Sequence, residues 1–166
     1  MEFVTHTIAW CRGEIFEGRM FGLFGLVVLA AALAYWKLGT TPSARAMVIP
    51  LLVVAIFALG TGVYLNRTNA SRIPRYEEAA AADELAFAES EKQRTEDFIR
   101  WYPVTMWSMS ALILTGCLVF LLIPTPNGRA IGLAIVMFGL SFLFLDHFSE
   151  ERAEIYHRHI IEFLGR

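Results

Sequence analysis

The chain has 166 residues, of which 56% are apolar, and its mean hydropathy is +0.50. Both values are high for a soluble domain of this length and are typical of a membrane protein. The formal net charge of −2 argues against a nucleic acid as the partner. A disulfide framework is not expected either, because one of the two cysteines lies inside a predicted span.

In chain order, the first predicted element is a helix over residues 2–19, where apolar residues recur at helical spacing. It runs into an apolar segment, residues 20–38, which begins after Arg19 and contains Lys37 next to its end. Three further apolar segments follow at residues 46–65, 104–123 and 130–146. Because about 20 apolar residues suffice for a helix to cross the hydrocarbon core, the sequence predicts four transmembrane helices.

Between the second and third spans, residues 74–101 are predicted to form one long helix that continues into the third span. Pro74 suits the first turn of a helix, where its missing amide hydrogen costs nothing, and Ser71 is the candidate cap. Apolar residues again recur at helical spacing over residues 147–164. These two segments and residues 2–19 are expected to form a helical head.

The basic residues predict the orientation of the chain. Eleven of the 14 Lys and Arg residues fall on the side of the termini, and three, Lys37, Arg45 and Arg129, fall on the other side. Because basic residues collect on the cytosolic side, both termini are expected in the cytosol, as in a bacterial inner-membrane protein. The predicted fold is an all-α integral membrane protein, one domain over residues 1–166, whose four spans extend into a cytosolic bundle.

The two halves of the chain share two short motifs. T-P-x-x-R-A occurs at residues 41–46 and 125–130, and R-x-E-x-F occurs at residues 12–16 and 94–98. Each motif precedes its span on the same side, which favours two tandem helical hairpins of equal orientation that arose by duplication. The alternative is that membrane hairpins need Thr-Pro turns and interfacial arginines in any case.

Charged residues near the inner ends of the predicted spans are expected to converge. Asp146 is the strongest single candidate, because an ionisable group near the hydrocarbon is costly unless it is paired and faces the bundle interior. We interpret the cluster as an ion-paired collar and assign no catalytic residue to it. Its predicted members are Arg12, Arg19, Arg94, Glu96, Arg100, Asp146, His147, Glu150 and Arg152.

A dinuclear metal site is the alternative interpretation of the same region. Glu154 and His157 form a Glu-x-x-His motif, which ferritin-type bundles use to bind metal. Glu14 and Glu17 could supply carboxylates from another helix, and such ligands suit iron or manganese. The ferritin-type pattern needs a second Glu-x-x-His, which this sequence does not contain, so no cofactor is the preferred expectation.

The sequence contains no Gly-rich phosphate loop, no Cys-x-x-Cys pair and no nucleophile elbow. We therefore expect a non-enzymatic protein of the lipid bilayer that packs against a membrane protein partner, as an accessory or immunity-type subunit, or against copies of itself. The alternatives are a metal-dependent oxidoreductase with its site at the cytosolic interface, and an oligomeric channel or transporter.

Overall fold

The computed structural model describes residues 2–165, and within this range every regular element is an α-helix. Met1 and Arg166, the ends of the predicted domain, lie outside the described residues. The helices in chain order are α1 (Glu2–Leu38), α2 (Pro42–Ala82), α3 (Glu84–Ile99), α4 (Tyr102–Leu122) and α5 (Pro126–Leu164).

The prediction of four long apolar helices is confirmed. α1, α2 and α5 are each long and apolar enough to cross a membrane. α3 and α4 are separated by a single turn at Arg100 and Trp101, and together they provide the fourth such helix, Glu84–Leu122. The chain is therefore two long hairpins, α1–α2 and then α3/α4–α5.

The turn inside each hairpin is built in the same way. The hydroxyls of Thr41 and Thr125 each accept a hydrogen bond from the amide three residues later, at 3.2 and 3.1 Å. Pro42 and Pro126 take the first helical position, where no amide hydrogen is needed. The T-P-x-x-R-A motif is therefore a helix-start signal in both places, and its origin by duplication stays a prediction.

The predicted helix over residues 74–101 is wrong in its boundaries. α2 continues through Pro74, and the chain turns at Asp83, which is extended (φ −157°, ψ 98°). The Asp83 carboxylate accepts the Ala86 amide at 3.0 Å and so caps α3, whereas the Ser71 hydroxyl donates to a carbonyl of its own helix. The head therefore also contains the end of α2.

Tertiary packing explains why α2 continues through a proline, which costs about 3 kcal/mol inside a helix. Ile73 and Tyr76, on either side of Pro74, pack against the apolar core of the head. Their burial outweighs the local preference for a helix start at this position, because propensity is a weak effect beside tertiary contacts.

The molecule has two halves with separate cores. The charged half (residues 2–19, 66–101 and 146–164) has an aromatic core that includes Phe3, Trp10, Phe87, Tyr156 and Ile160. The apolar half (residues 20–65 and 102–145) has a core of small and aliphatic side chains. Its buried members are Val28, Ala32, Leu51, Val54, Ala55 and Ala134.

Close backbone contact joins α1 to α2 where the charged half meets the apolar half. A Cβ atom at Gly62 would lie 2.6 Å from the carbonyl oxygen of Gly18, closer than any side chain tolerates. Glycine at this crossing therefore lets the two helices touch through their backbones, as small residues do in membrane helix pairs.

α5 is the central helix, since it packs against α1, α2, α3 and α4. α4 lies at the periphery and packs mainly along α5. Gly116 is the one buried residue between Tyr102 and Leu122, so most of α4 is uncovered. Its exposed large apolar side chains are Val104, Met106, Trp107, Leu114, Leu118, Leu121 and Leu122.

Candidate functional site

Two carboxylates of α1 meet one guanidinium of α5 where the charged half joins the apolar half. Glu14 and Glu17 are three residues apart, so both side chains lie on the same helix face. Arg152 Nη2 lies 3.0 Å from Glu14 Oε1 and 2.6 Å from Glu17 Oε2. The two glutamate side chains are only 8% and 10% exposed. We call these three residues the Glu-Arg-Glu triad; with both carboxylates ionised its net charge is −1.

Gly13 makes room for the arginine of the triad. A Cβ atom at position 13 would lie 2.8 Å from Arg152 Cδ and 2.9 Å from Arg152 Nε. The arginine side chain therefore lies directly across the α1 backbone. This placement, one residue before Glu14, lets a single guanidinium contact both carboxylates.

Two hydroxyl groups extend the triad toward α4. The Ser149 hydroxyl donates to Glu14 Oε1 at 3.2 Å, and Tyr102 Oη lies 3.0 Å from Ser149 Oγ. Polar contacts thus connect Tyr102 with Glu17 through the whole triad. Because a guanidinium keeps its protons, this chain of contacts fixes geometry and does not relay protons from one carboxylate to the other.

Two members of the triad are not fully satisfied. Among residues 2–165, Glu17 Oε1 and Arg152 Nε are both buried and have no hydrogen-bond partner. Burial raises the pKa of Glu17 from its ordinary value, and the neighbouring Arg152 opposes that shift. Glu14 and Asp146 add like-charge repulsion. The site therefore contains a buried carboxylate with an acceptor position to spare.

Glu17 and Arg152 line one end of a groove between α1 and α5 with a volume of about 920 Å³. The walls are almost entirely Phe, Leu, Met and Val side chains of these two helices, with Met47 from α2. Among the described residues that line the groove, Ser141 is the only other polar one. The groove is therefore long and apolar, and it ends at a buried acidic group.

A second polar network lies deeper in the charged half. Arg94 pairs with Glu91 through two contacts, Nε to Oε1 at 2.7 Å and Nη2 to Oε2 at 2.6 Å. The Tyr156 hydroxyl donates to Glu91 Oε2 at 2.8 Å and lies 3.0 Å from the Thr7 hydroxyl. Burial, and next the adjacent Glu91 carboxylate, raise the pKa of Tyr156 far above its ordinary value. Tyr156 therefore stays a neutral donor.

Aromatic rings complete the environment of Arg94. Its guanidinium carbon lies 4.6 Å from the Trp10 ring centroid and 5.2 Å from that of Phe98. Cation–π contact and a bidentate carboxylate explain how this arginine is accommodated in the core. The carboxylate and hydroxyl groups of this network all have partners, which is typical of a structural cluster, whereas the buried Trp10 Nε1 has no hydrogen-bond partner among residues 2–165.

Two members of the predicted interfacial cluster belong to these two networks. Arg152 holds the triad, and Arg94 belongs to the network of Glu91. Asp146 is partly buried close to Glu150 and Glu17, and within residues 2–165 no ion pair is found between Asp146 and Arg19.

The other predicted members of the cluster lie on the surface. Arg100 forms an exposed ion pair with Asp97 at 3.1 Å. Glu96 lies 3.9 Å from Lys92 and is also exposed. The remaining exposed members are Arg12, Arg19 and His147.

The four residues proposed as metal ligands are not brought together. Glu14 and Glu17 bind an arginine, Glu154 is exposed, and His157 Nδ1 lies 2.7 Å from a threonine hydroxyl of α3. In the part of the chain that the structure describes, no group of three His, Cys, Asp or Glu side chains is placed to hold a metal ion.

The R-x-E-x-F repeat occupies two unlike environments. Arg12 is exposed while its counterpart Arg94 is partly buried, and Glu14 is buried while its counterpart Glu96 is exposed. The motif therefore has a different role at each of its two positions in the chain.

Sequence reasoning did not assign site roles to Ser149, Tyr102 and Thr7. Their hydroxyls lie 135, 47 and 149 residues from the partners they contact, so no local spacing signals them.

No protein family, curated protein or solved structure matches this chain. The function is therefore inferred from the contacts within this chain.

Proposed function

We propose that this chain is a multi-pass protein of the bacterial inner membrane that acts by packing against a membrane protein partner. It is a non-enzymatic accessory or immunity-type subunit, and its outermost helix α4 provides the contact surface. The packing of α4 along a single neighbour is the observation that carries this proposal.

The charge distribution supports the proposed orientation. The turn between α1 and α2 and the turn between α4 and α5 carry Lys37, Arg45 and Arg129, and the other eleven of the 14 basic residues belong to the opposite end. All 16 acidic residues belong to that end as well. Basic residues collect on the cytosolic side, so the charged half and both termini face the cytosol.

The exposed face of α4 has the composition of a helix contact. Ser108, Ala111 and Thr115 are exposed and recur at three- and four-residue spacing in its middle, flanked by large apolar side chains. Between helices in lipid there is little hydrophobic driving force, so association depends on close packing of small residues and on hydroxyl groups. This face therefore suits another membrane helix.

The test compares two variants of the full chain purified in mild detergent. Thr115→Trp places a bulky side chain in the middle of the α4 face and is expected to abolish co-purification of a stoichiometric membrane protein. Val53→Trp is the matched control, because Val53 is 61% exposed on α2 and lies outside this face. Equal recovery of the partner with both variants, or no stoichiometric partner with the unaltered chain, contradicts the proposal.

A further inference from the structure

The groove between α1 and α5 has the dimensions of a site for one elongated molecule. Its lining on α5 runs from Leu133 to Arg152, about 28 Å of helix at 1.5 Å per residue. Its volume of about 920 Å³ lies within the range of ligand-binding sites. The walls are apolar along this whole length, so the occupant has a long apolar part.

The end of the groove selects the polar part of the occupant. Glu17 is nine-tenths buried, lines the groove and has an oxygen atom without a partner. Arg152 is the cation that the structure places in contact with Glu17, and it is shared with Glu14. With both carboxylates ionised, one negative charge is left uncompensated in an apolar setting, where an unpaired charge is costly.

We propose that this groove binds a single-chain amphiphile with a primary ammonium head. The ammonium pairs with the Glu17 carboxylate and balances the charge of the triad, while the alkyl chain lies along Phe24, Leu140 and the other apolar side chains of the groove. A phosphate, sulfate or carboxylate head would instead approach Glu14, Glu17 and Asp146, which repel it. A hydroxyl head could make the hydrogen bond but would leave the charge unbalanced.

This site is independent of the α4 surface, since α4 contributes no residue to the groove. It requires only that the apolar half is embedded in lipid or detergent. The Thr115→Trp variant is therefore expected to bind the amphiphile as the unaltered chain does, which separates a failure of this inference from a failure of the proposed function.

The test measures binding of dodecylammonium, dodecanol and dodecyl sulfate to the purified full chain in a non-ionic detergent by native mass spectrometry. One dodecylammonium is expected per chain, with at least tenfold weaker binding of the other two. Glu17→Gln is expected to weaken dodecylammonium binding at least tenfold, whereas Glu154→Gln, which removes an exposed carboxylate of α5, leaves it unchanged.

A second variant tests the groove without altering charge. Leu140→Trp fills the middle of the groove and is expected to reduce binding, with Val53→Trp as the control for a new tryptophan at an exposed site. Equal binding of all three amphiphiles, full binding by Glu17→Gln, or no bound dodecylammonium overturns the inference. Phosphatidylethanolamine that competes as well as dodecylammonium overturns the assignment to a single-chain ligand.

Discussion

At the scale of single residues, Arg152 holds α1 against α5. It is the guanidinium that contacts both Glu14 and Glu17, and the Gly13 backbone lies directly beneath it. Buried ion pairs contribute little when intact, but removal of one partner leaves a buried charge without compensation. In this triad, removal of the Arg152 side chain would leave two buried carboxylates without their cation.

We therefore expect Arg152→Met to lower the free energy of unfolding by about 3–5 kcal/mol. The measurement is thermal or denaturant unfolding of the purified chain, with Arg158→Met as the control, because Arg158 is exposed on the same helix. A change within about 0.5 kcal/mol, as for an ordinary surface substitution, would contradict the assigned role of Arg152.

Gly13 and Gly22 provide a matched pair on α1. Alanine in a helix interior is more favourable than glycine by about 1 kcal/mol. Gly22 has open space where a Cβ would be, so Gly22→Ala is expected to gain stability of this order. Gly13→Ala is expected to be less stable than Gly22→Ala, because its Cβ would displace Arg152. Unfolding of the two variants side by side checks the difference, and equal stability would count against the close approach.

Tyr156 makes the free energy of unfolding depend on pH in the alkaline range. Its folded-state pKa is raised by burial and by Glu91, whereas an unfolded tyrosine loses its proton near pH 10. Below about pH 10, Tyr156 does not lower the free energy of unfolding. Above that pH the free energy of unfolding falls as the pH rises, because only the unfolded state releases the tyrosine proton.

Tyr156→Phe is expected to flatten that alkaline decline. At neutral pH it should cost about 1–3 kcal/mol, because Glu91 loses a buried donor. Denaturation from pH 8 to 11 with both proteins measures the two effects together. An unchanged slope above pH 10 would show that the alkaline loss originates at other groups.

At the scale of helices, the four long apolar helices could be predicted and the turn at Asp83 could not. A long apolar helix is a local property, since a run of apolar residues between charges needs no knowledge of distant contacts. The end of α2 depends on how Ile73 and Tyr76 pack in the head, and this is a tertiary effect. For the same reason the sequence named Glu14, Glu17 and Arg152 but did not pair them. The partners are about 135 residues apart.

The boundary at Asp83 can be tested against the predicted boundary at Ser71. Asp83→Ala removes the cap of α3 and should cost about 1 kcal/mol, with faster amide exchange in the first turn of α3. Ser71→Ala should have little effect, because the Ser71 hydroxyl bonds a carbonyl within its own helix. A larger cost for Ser71→Ala would instead favour a helix that begins near Pro74.

At the scale of the whole molecule, the separation of charge from apolar surface determines the expected topology. In a Cys117→Ser background, Ser43→Cys in the turn between α1 and α2 should react with an impermeant thiol reagent added to the periplasmic side. Ala81→Cys in the charged half should react only after the membrane is opened. Cys11 does not interfere, because it is buried and burial raises its thiol pKa to about 11. The reverse labelling pattern would invert the topology.

The unbroken course of α5 has a mechanical consequence. Its 39 residues form one rod about 58 Å long. α4 seats along the first part of this rod, whereas Arg152 projects from the later part. A shift of α5 along its axis when α4 docks on a neighbour would therefore also move the guanidinium relative to both carboxylates of α1. Docking at the α4 surface would thus be coupled, through one stiff helix, to the contact between Arg152 of α5 and the two glutamates of α1.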